Sequence, residues 1–350
     1  MNKTFDRRDF LKYSLMLSAN ALLWNGRPAS FYTRIESDEA SSGKLGRVLY
    51  NGSTTHRAPD ESSEVVATYA FNDIVEYERE VKVDTGRPHS EIWFQLKDES
   101  YLHSKNAQPV QNRINEPVRT FNTSGQLVEV TVPFTTAVVN RQNNNRNKTE
   151  NQMFFYGSTH WIYGLGKDEE GTLYYLVKED RWEDSYYVNA SHLRLIDETE
   201  LTPTSTEMDQ SKKVIRIDLR EQFLIAYENE EPVFMSALSS GQLIGDIDLT
   251  TPAGKYVINY KRPSRHMVHT DRIGSNDDEL YGVPWVSYFT ESGIAFHGTY
   301  WHNDFSKPNS HGCINLPIPA ARWIYLWTQP VVAPGEMKHV SNNGTRVEVY

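Results

Sequence analysis

The chain has 350 residues, 38% of them apolar and 23% charged, an ordinary globular composition that excludes a disordered or fibrous protein. Its 36 lysines and arginines against 46 aspartates and glutamates leave a net charge of −10 with no basic block, which argues against nucleic acid as a partner. The single cysteine, Cys313, excludes an internal disulfide and a four-cysteine zinc site.

Residues 1–30 read as an export address. Arg7-Arg8 precede Asp9-Phe10-Leu11-Lys12 and then an apolar run from Tyr13 to Trp24, the order of parts in a twin-arginine signal. The run falls short of the roughly 20 residues a bilayer span needs, and no later stretch reaches that length, so no integral span is expected after the signal. An extracytoplasmic location is therefore expected. Residues 31–45 are small and polar and read as a linker.

From residue 46 the chain breaks into short strand-like runs separated by turn residues. Strands are expected over 46–50, 64–69, 74–83 and 91–96, then over 127–132, 152–156, 173–178 and 186–188. This spacing points to small antiparallel barrels or sandwiches. A weak repeat is visible. Ile92-Trp93-Phe94-Gln95-Leu96 leads to Tyr101-Leu102-His103-Ser104, and Leu173-Tyr174-Tyr175-Leu176-Val177 leads to Tyr187-Val188-Asn189-Ala190. Both halves resemble bacterial SH3-like domains, which implies two small β modules over 46–125 and 126–197. Generic β structure supporting the next domain is the alternative. Residues 140–151 form an asparagine-rich loop, and 198–211 read as an interdomain linker.

The third segment opens with a β-meander pattern over 214–219, 222–228 and 233–237, stopped by Gly241. Two later stretches carry the chemistry. Acyl transfer by cysteine needs a thiolate, a base to make it, an orienter for that base, and donors where an oxyanion forms. Gly312, directly before Cys313, lets the backbone turn sharply, so that the amides of Gly312 and Cys313 can face an oxyanion. His297 ends an apolar strand (Ile294-Ala295-Phe296), and the carbonyl of Gly298 behind it can take the imidazole N–H and fix the tautomer. Residues 316–327 read as a helix after the nucleophile, whose N-terminal dipole is expected to lower the thiol pKa.

His297, a spacer of twelve residues, and Ser310-His311-Gly312-Cys313-Ile314-Asn315 resemble the signature of the L,D-transpeptidase family. Ser239-Ser240-Gly241 and Thr251-Pro252 with Gly254 and Tyr256 match the upstream part of that pattern. The resemblance implies a mainly β fold, a β-sandwich with a short helix after the nucleophile, over residues 212–335, with 336–350 as a C-terminal tail. It implies Cys313 as nucleophile, His297 as base, the Gly298 carbonyl as its orienter, and an oxyanion hole from the amides of His311, Gly312 and Cys313. Ser310 would hold the loop or touch substrate, and Asn315 would cap the helix or contact substrate. The short lid-like segment 298–309 would bring Tyr300 and Trp301 to the substrate. The implied partners are peptidoglycan stem peptides and glycan strands, in the cell wall or periplasm. The implied reaction is attack on the third stem residue with loss of D-alanine, followed by transfer to an amine. No cofactor and no metal is implied. Water as acceptor would make the chain a carboxypeptidase. Zinc held by His297, His302, His311 and Cys313 is disfavoured by the His-Gly-Cys spacing. A wall-binding protein with a vestigial catalytic domain is disfavoured by the intact cysteine and histidine.

Overall fold

The computed structural model describes residues 44–84, 91–142, 149–268 and 279–350. The export signal, most of the first linker and residues 143–148 of the asparagine-rich loop lie outside the described residues.

The first unit contains β1 (Lys44–Val48), β2 (Ser53–His56), β3 (Val65–Tyr69), β4 (Ile74–Val83), β5 (Glu91–Leu96), β6 (Tyr101–His103) and β7 (Ala107–Val110). They form one antiparallel sheet in the order β3-β2-β6-β5-β4-β1-β7. The second unit contains β8 (Gln126–Val130), β9 (Phe134–Val139), β10 (Gln152–Phe155), β11 (Thr159–Lys167), β12 (Leu173–Lys178), β13 (Ser185–Asn189) and β14 (Leu193–Leu195). Its order, β10-β9-β13-β12-β11-β8-β14, is the first order shifted by seven strands. The weak sequence repeat thus marks a repeated topology. The aromatic strands β5 and β12 correspond, and each unit closes through a single 3-10 turn capped by the last residue of the preceding strand, His103 or Asn189. Period-two alternation builds these strands. In β9, Thr135, Ala137 and Val139 point inward while Phe134, Thr136 and Val138 face solvent.

The third unit has two five-stranded sheets around one helix. β15 (Lys213–Asp218), β16 (Phe223–Glu228) and β17 (Glu231–Ala237) are the expected meander. A small exposed hairpin follows, β18 (Leu243–Ile244) and β19 (Ile247–Asp248), and then β20 (Gly254–Val257). The second sheet takes β21 (Tyr260–Val268), β22 (Glu279–Tyr288), β23 (Ala295–Gly298) and β24 (Ile314–Leu316), and the helix α1 (Ile318–Trp327) follows. The strands β25 (His339–Val340) and β26 (Arg346–Val349) complete the two sheets, in the orders β17-β16-β15-β26-β20 and β24-β23-β22-β21-β25.

Three boundaries differ from the sequence reading. Lys44 and Leu45, read as linker, already pair with β4. Residues 111–125, read as part of the first module, form a strap without regular strands. The expected tail is no tail: β26 lies between β15 and β20 and pairs in parallel with β15, and Val347 and Val349 are buried. An alternating four-residue run near a chain end gives little local sign of its partner.

The main core lies in the third unit, where Trp285, Phe296, Ile314, Ile324 and Trp327 gather between sheet and helix. Leu127, Trp161, Ile196 and Leu201, all from before residue 212, belong to that same core. The second unit is therefore packed into the third and is not a bead on a linker. Among the described residues, no helix is long and apolar enough to cross a membrane.

Candidate functional site

The loop that carries Cys313 is built by backbone close approach. Ser239 exchanges both backbone hydrogen bonds with Asn315 (3.0 and 2.9 Å). The Ser240 carbonyl accepts from the amides of Asn309 and Ser310. Gln222 holds Ser240 from the side: its Oε1 accepts from the Ser240 amide and its Nε2 donates to Ser240 Oγ, both at 2.8 Å. At Gly241 a Cβ would stand 2.0 Å from the Leu249 carbonyl and 2.7 Å from Gly312 Cα, so two glycines meet where no side chain fits. Gly312 itself has φ +114°, a conformation side-chain-bearing residues rarely adopt. Thr251 Oγ1 accepts from the Gly241 amide (2.9 Å) and donates to the Gly312 carbonyl (2.8 Å). Ser310 Oγ donates to the Cys313 carbonyl (2.5 Å) and accepts from the Gly312 amide (3.1 Å). The upstream motif around Ser239–Gly241 and Thr251 is thus the cradle of the cysteine loop.

The candidate base comes from the neighbouring strand. β23 and β24 run parallel, with Phe296 opposite Ile314 and His297 opposite Asn315. Phe296, Ile314 and Leu316 face the main core. Alternation then sends Ala295, His297, Cys313 and Asn315 to the opposite face. There Cys313 and Trp301 pack on Val283, Val286 and Ala295. His297 Nδ1 lies 3.2 Å from the Gly298 carbonyl. A carbonyl only accepts, so Nδ1 carries the proton and Nε2 keeps its lone pair. Trp301 sits against the imidazole, ring centres 5.6 Å apart.

Burial sets both protonation states. It pulls His297 down to about 4, with the Gly298 hydrogen bond acting against it. It pushes the Cys313 thiol up to about 11, offset in part by the Ala295 backbone. The thiol reaches toward the Gly293 carbonyl (3.9 Å), as a protonated S–H does. The expected lowering by a helix dipole is not found. Cys313 opens onto β24, and α1 starts only at Ile318 behind the cap Pro317, so the thiol does not stand at a helix N-terminus. A neutral thiol and a neutral imidazole whose Nε2 keeps its lone pair, both on one face of the sheet, suit nucleophilic attack with proton transfer in the same step.

Other expected residues take different places. Asn315 lies in β24 and does not cap the helix; its Nδ2 donates to His302 Nε2 (2.8 Å). His302 is buried and pulled down to about 3 by that burial, with His297 adding to it, so it stays neutral. Ser310 and Tyr300 are buried and bonded internally, the latter through its hydroxyl to the Tyr281 carbonyl (2.7 Å). Ser310 holds the loop, Asn315 and Tyr300 are bonded within the protein, and Trp301 is half-buried. The Gly312 amide, expected in an oxyanion hole, is taken by Ser310 Oγ. His311 is exposed on the loop. Gln222 and the His302–Asn315 pair escaped the sequence reading, since a polar side chain that serves a loop far along the chain leaves no local pattern. Among the described residues no group of three or more His, Cys, Asp or Glu side chains is placed to hold a metal ion.

Residues 212–349 match the YkuD family model, the L,D-transpeptidase catalytic domain. Solved structures that this chain resembles are L,D-transpeptidases. One, residues 123–326 of the protein from Xylanimonas cellulosilytica, is 27% identical over 43% of this chain and 63% of its own, with a TM-score of 0.29. The C442S mutant from Enterococcus faecium is 19% identical over 41% and 50%, with a TM-score of 0.30. One from Mycobacterium tuberculosis is 17% identical over 53% and 79%, with a TM-score of 0.31. This chain spans less than two thirds of the first two. No curated protein matches it.

Proposed function

We propose that this chain is an L,D-transpeptidase that forms an acyl-enzyme on Cys313 with peptidoglycan stem peptides. The observation that carries the reading is the His297 tautomer: Nδ1 is spent on the Gly298 carbonyl, and Nε2 is left as a base on the face that also bears Cys313. His297 takes the thiol proton as sulfur attacks the carbonyl of the third stem residue. The Cys313 amide donates to the oxyanion. Collapse of the tetrahedral intermediate breaks the peptide bond, and the proton passes from His297 to the departing D-alanine amine. A side-chain amine of a second stem then attacks the thioester, gives its proton to His297 and releases the thiol. Trp301 flanks the substrate.

We further propose that residues 1–30 export the chain by the twin-arginine route and that the two N-terminal units are SH3-like modules facing the glycan strands. Support comes from the paired arginines before an apolar run and from the repeated seven-strand order.

Digested peptidoglycan incubated with the protein and resolved by mass spectrometry tests the reading. Dimers joined through two third-position residues are expected. Tripeptide stems alone would assign water as the acceptor, hence a carboxypeptidase, and unchanged stems would refute both.

A further inference from the structure

Arg47, on β1, is 1% exposed. Among the described residues it meets no carboxylate. Its Nη2 donates to the carbonyl of Tyr300 (2.6 Å) and to Gln108 Oε1 (2.8 Å). Nε also donates to Gln108 Oε1 (3.2 Å), and Nη1 donates to Asn72 Oδ1 (2.9 Å). The guanidinium lies over the Phe155 ring, 4.4 Å from its centre. Gln108 Nε2 in turn donates to the Tyr156 carbonyl (3.1 Å). One buried cation therefore joins the first sheet, the second sheet and the loop that follows the candidate base, across 253 residues of chain.

The loop is gripped again three residues further on. Asn303 Nδ2 donates to the carbonyls of Ser104 (3.0 Å) and Ala107 (3.1 Å), both in the first unit. Between the two grips stands Trp301, packed on His297 and on the apolar patch that includes Cys313. Tyr300 is also stacked on Phe155, ring centres 5.5 Å apart. Burying a guanidinium without a counter-charge is unfavourable, and here burial lowers its pKa to about 10. Four polar and aromatic partners hold it in that place, so the arrangement is built and not incidental.

We propose that Arg47 is a positioning residue for the cysteine–histidine site: through the Tyr300 carbonyl it sets where Trp301 stands against His297. The first N-terminal sheet is then a working wall of the acyl-transfer site. This inference rests on the reading of Cys313 and His297 as the reacting pair.

The test uses full-length Arg47→Met, Arg47→Lys and Asn303→Ala. Amide hydrogen exchange is followed over residues 299–309 and, as an internal reference, over α1. Alkylation of Cys313 by iodoacetamide and acylation by a stem tetrapeptide are measured beside it. In Arg47→Met, exchange over 299–309 should rise about tenfold or more while α1 and the iodoacetamide rate stay within about twofold. The kcat/KM for acylation should fall about tenfold, mainly through KM, because the cysteine loop and the strand of His297 are held by contacts the variant does not touch. Arg47→Lys keeps a donor for the Tyr300 carbonyl and should recover part of both effects. Unchanged exchange over 299–309, or a rise shared equally by α1, overturns the proposal. Should Arg47→Met not fold, Asn303→Ala decides by the same two readouts. The exchange arm needs no substrate, so unsubstituted chain that is not acylated by the stem peptide counts against the transpeptidase reading and leaves this inference standing on its own result.

Discussion

At Cys313 and His297, the pair proposed to react, the microenvironment decides the protonation states more than the motif does. A cysteine after glycine and a histidine at a strand end were legible because each sits in a short local pattern. Their protonation states were not, since these depend on walls supplied by β22, β23 and the loop after His297. Burial leaves His297 neutral above about pH 4 and Cys313 protonated below about pH 11. A neutral base acting on a neutral thiol gives a rate set by neither titration between those limits. Acylation is therefore expected to be level from pH 5 to 9 and to fall below about pH 4, where His297 takes up its proton. In His297→Ala the same profile should rise about tenfold per pH unit, since hydroxide must then supply the thiolate. Stopped-flow acylation across that range checks both. An acid limb near the ordinary histidine value, or a level profile in His297→Ala, would contradict the assignment of the base.

Most strands of the first two units are where alternation puts them, within two residues. The longest pair, β21 and β22, was missed because Pro263, Pro284 and Gly282 punctuate it, and such residues argue against a strand when no partner is known. Here the Pro263 carbonyl accepts from Thr159 Oγ1 (2.7 Å) of the second unit, and β22 carries a Gly at φ +64° against His160. The breaks are where another unit docks. The helix was legible as an element but not in its closing device. Lys261 is buried, and its Nζ donates to the carbonyls of Tyr325 (2.5 Å) and Thr328 (2.8 Å). Lys213 Nζ donates to the Trp327 carbonyl (3.1 Å). Two lysine amines thus meet the carbonyl end of α1, while burial holds the Lys261 pKa well below the ordinary lysine range. Lys261→Met strips two of those carbonyls of their donor. It should lower stability by about 1–3 kcal/mol in urea unfolding, with the urea dependence unchanged. An unaltered or higher midpoint would show that burying the amine costs as much as its hydrogen bonds return.

Across the molecule, the repeat was legible because equivalent strands carry similar aromatic runs, while the docking of units was not. The contacts that join them are long-range pairs. Arg194 bridges Glu129 (2.6 Å) and Glu200 (2.8 Å), and Glu200 also meets Arg322 on α1 (3.0 Å). Asp180 in the second unit receives Arg262 (2.6 Å) and Arg265 (2.5 Å) from β21. Such partially buried networks fix orientation, and no local spacing announces them. They make the third unit one face of a larger body, whose first unit meets the loop after His297 through Arg47 and through the Ser104 and Ala107 carbonyls that Asn303 holds. The central claim is that this body forms a thioester at Cys313. The most direct measurement is the intact mass of the full-length protein after incubation with a stem tetrapeptide. One tripeptidyl adduct per chain is expected, mapping to the peptide that contains Cys313. It should be absent in Cys313→Ala and slowed by about 10²- to 10⁴-fold at neutral pH in His297→Ala. An adduct on any other residue, or acylation that survives in Cys313→Ala, would contradict the account.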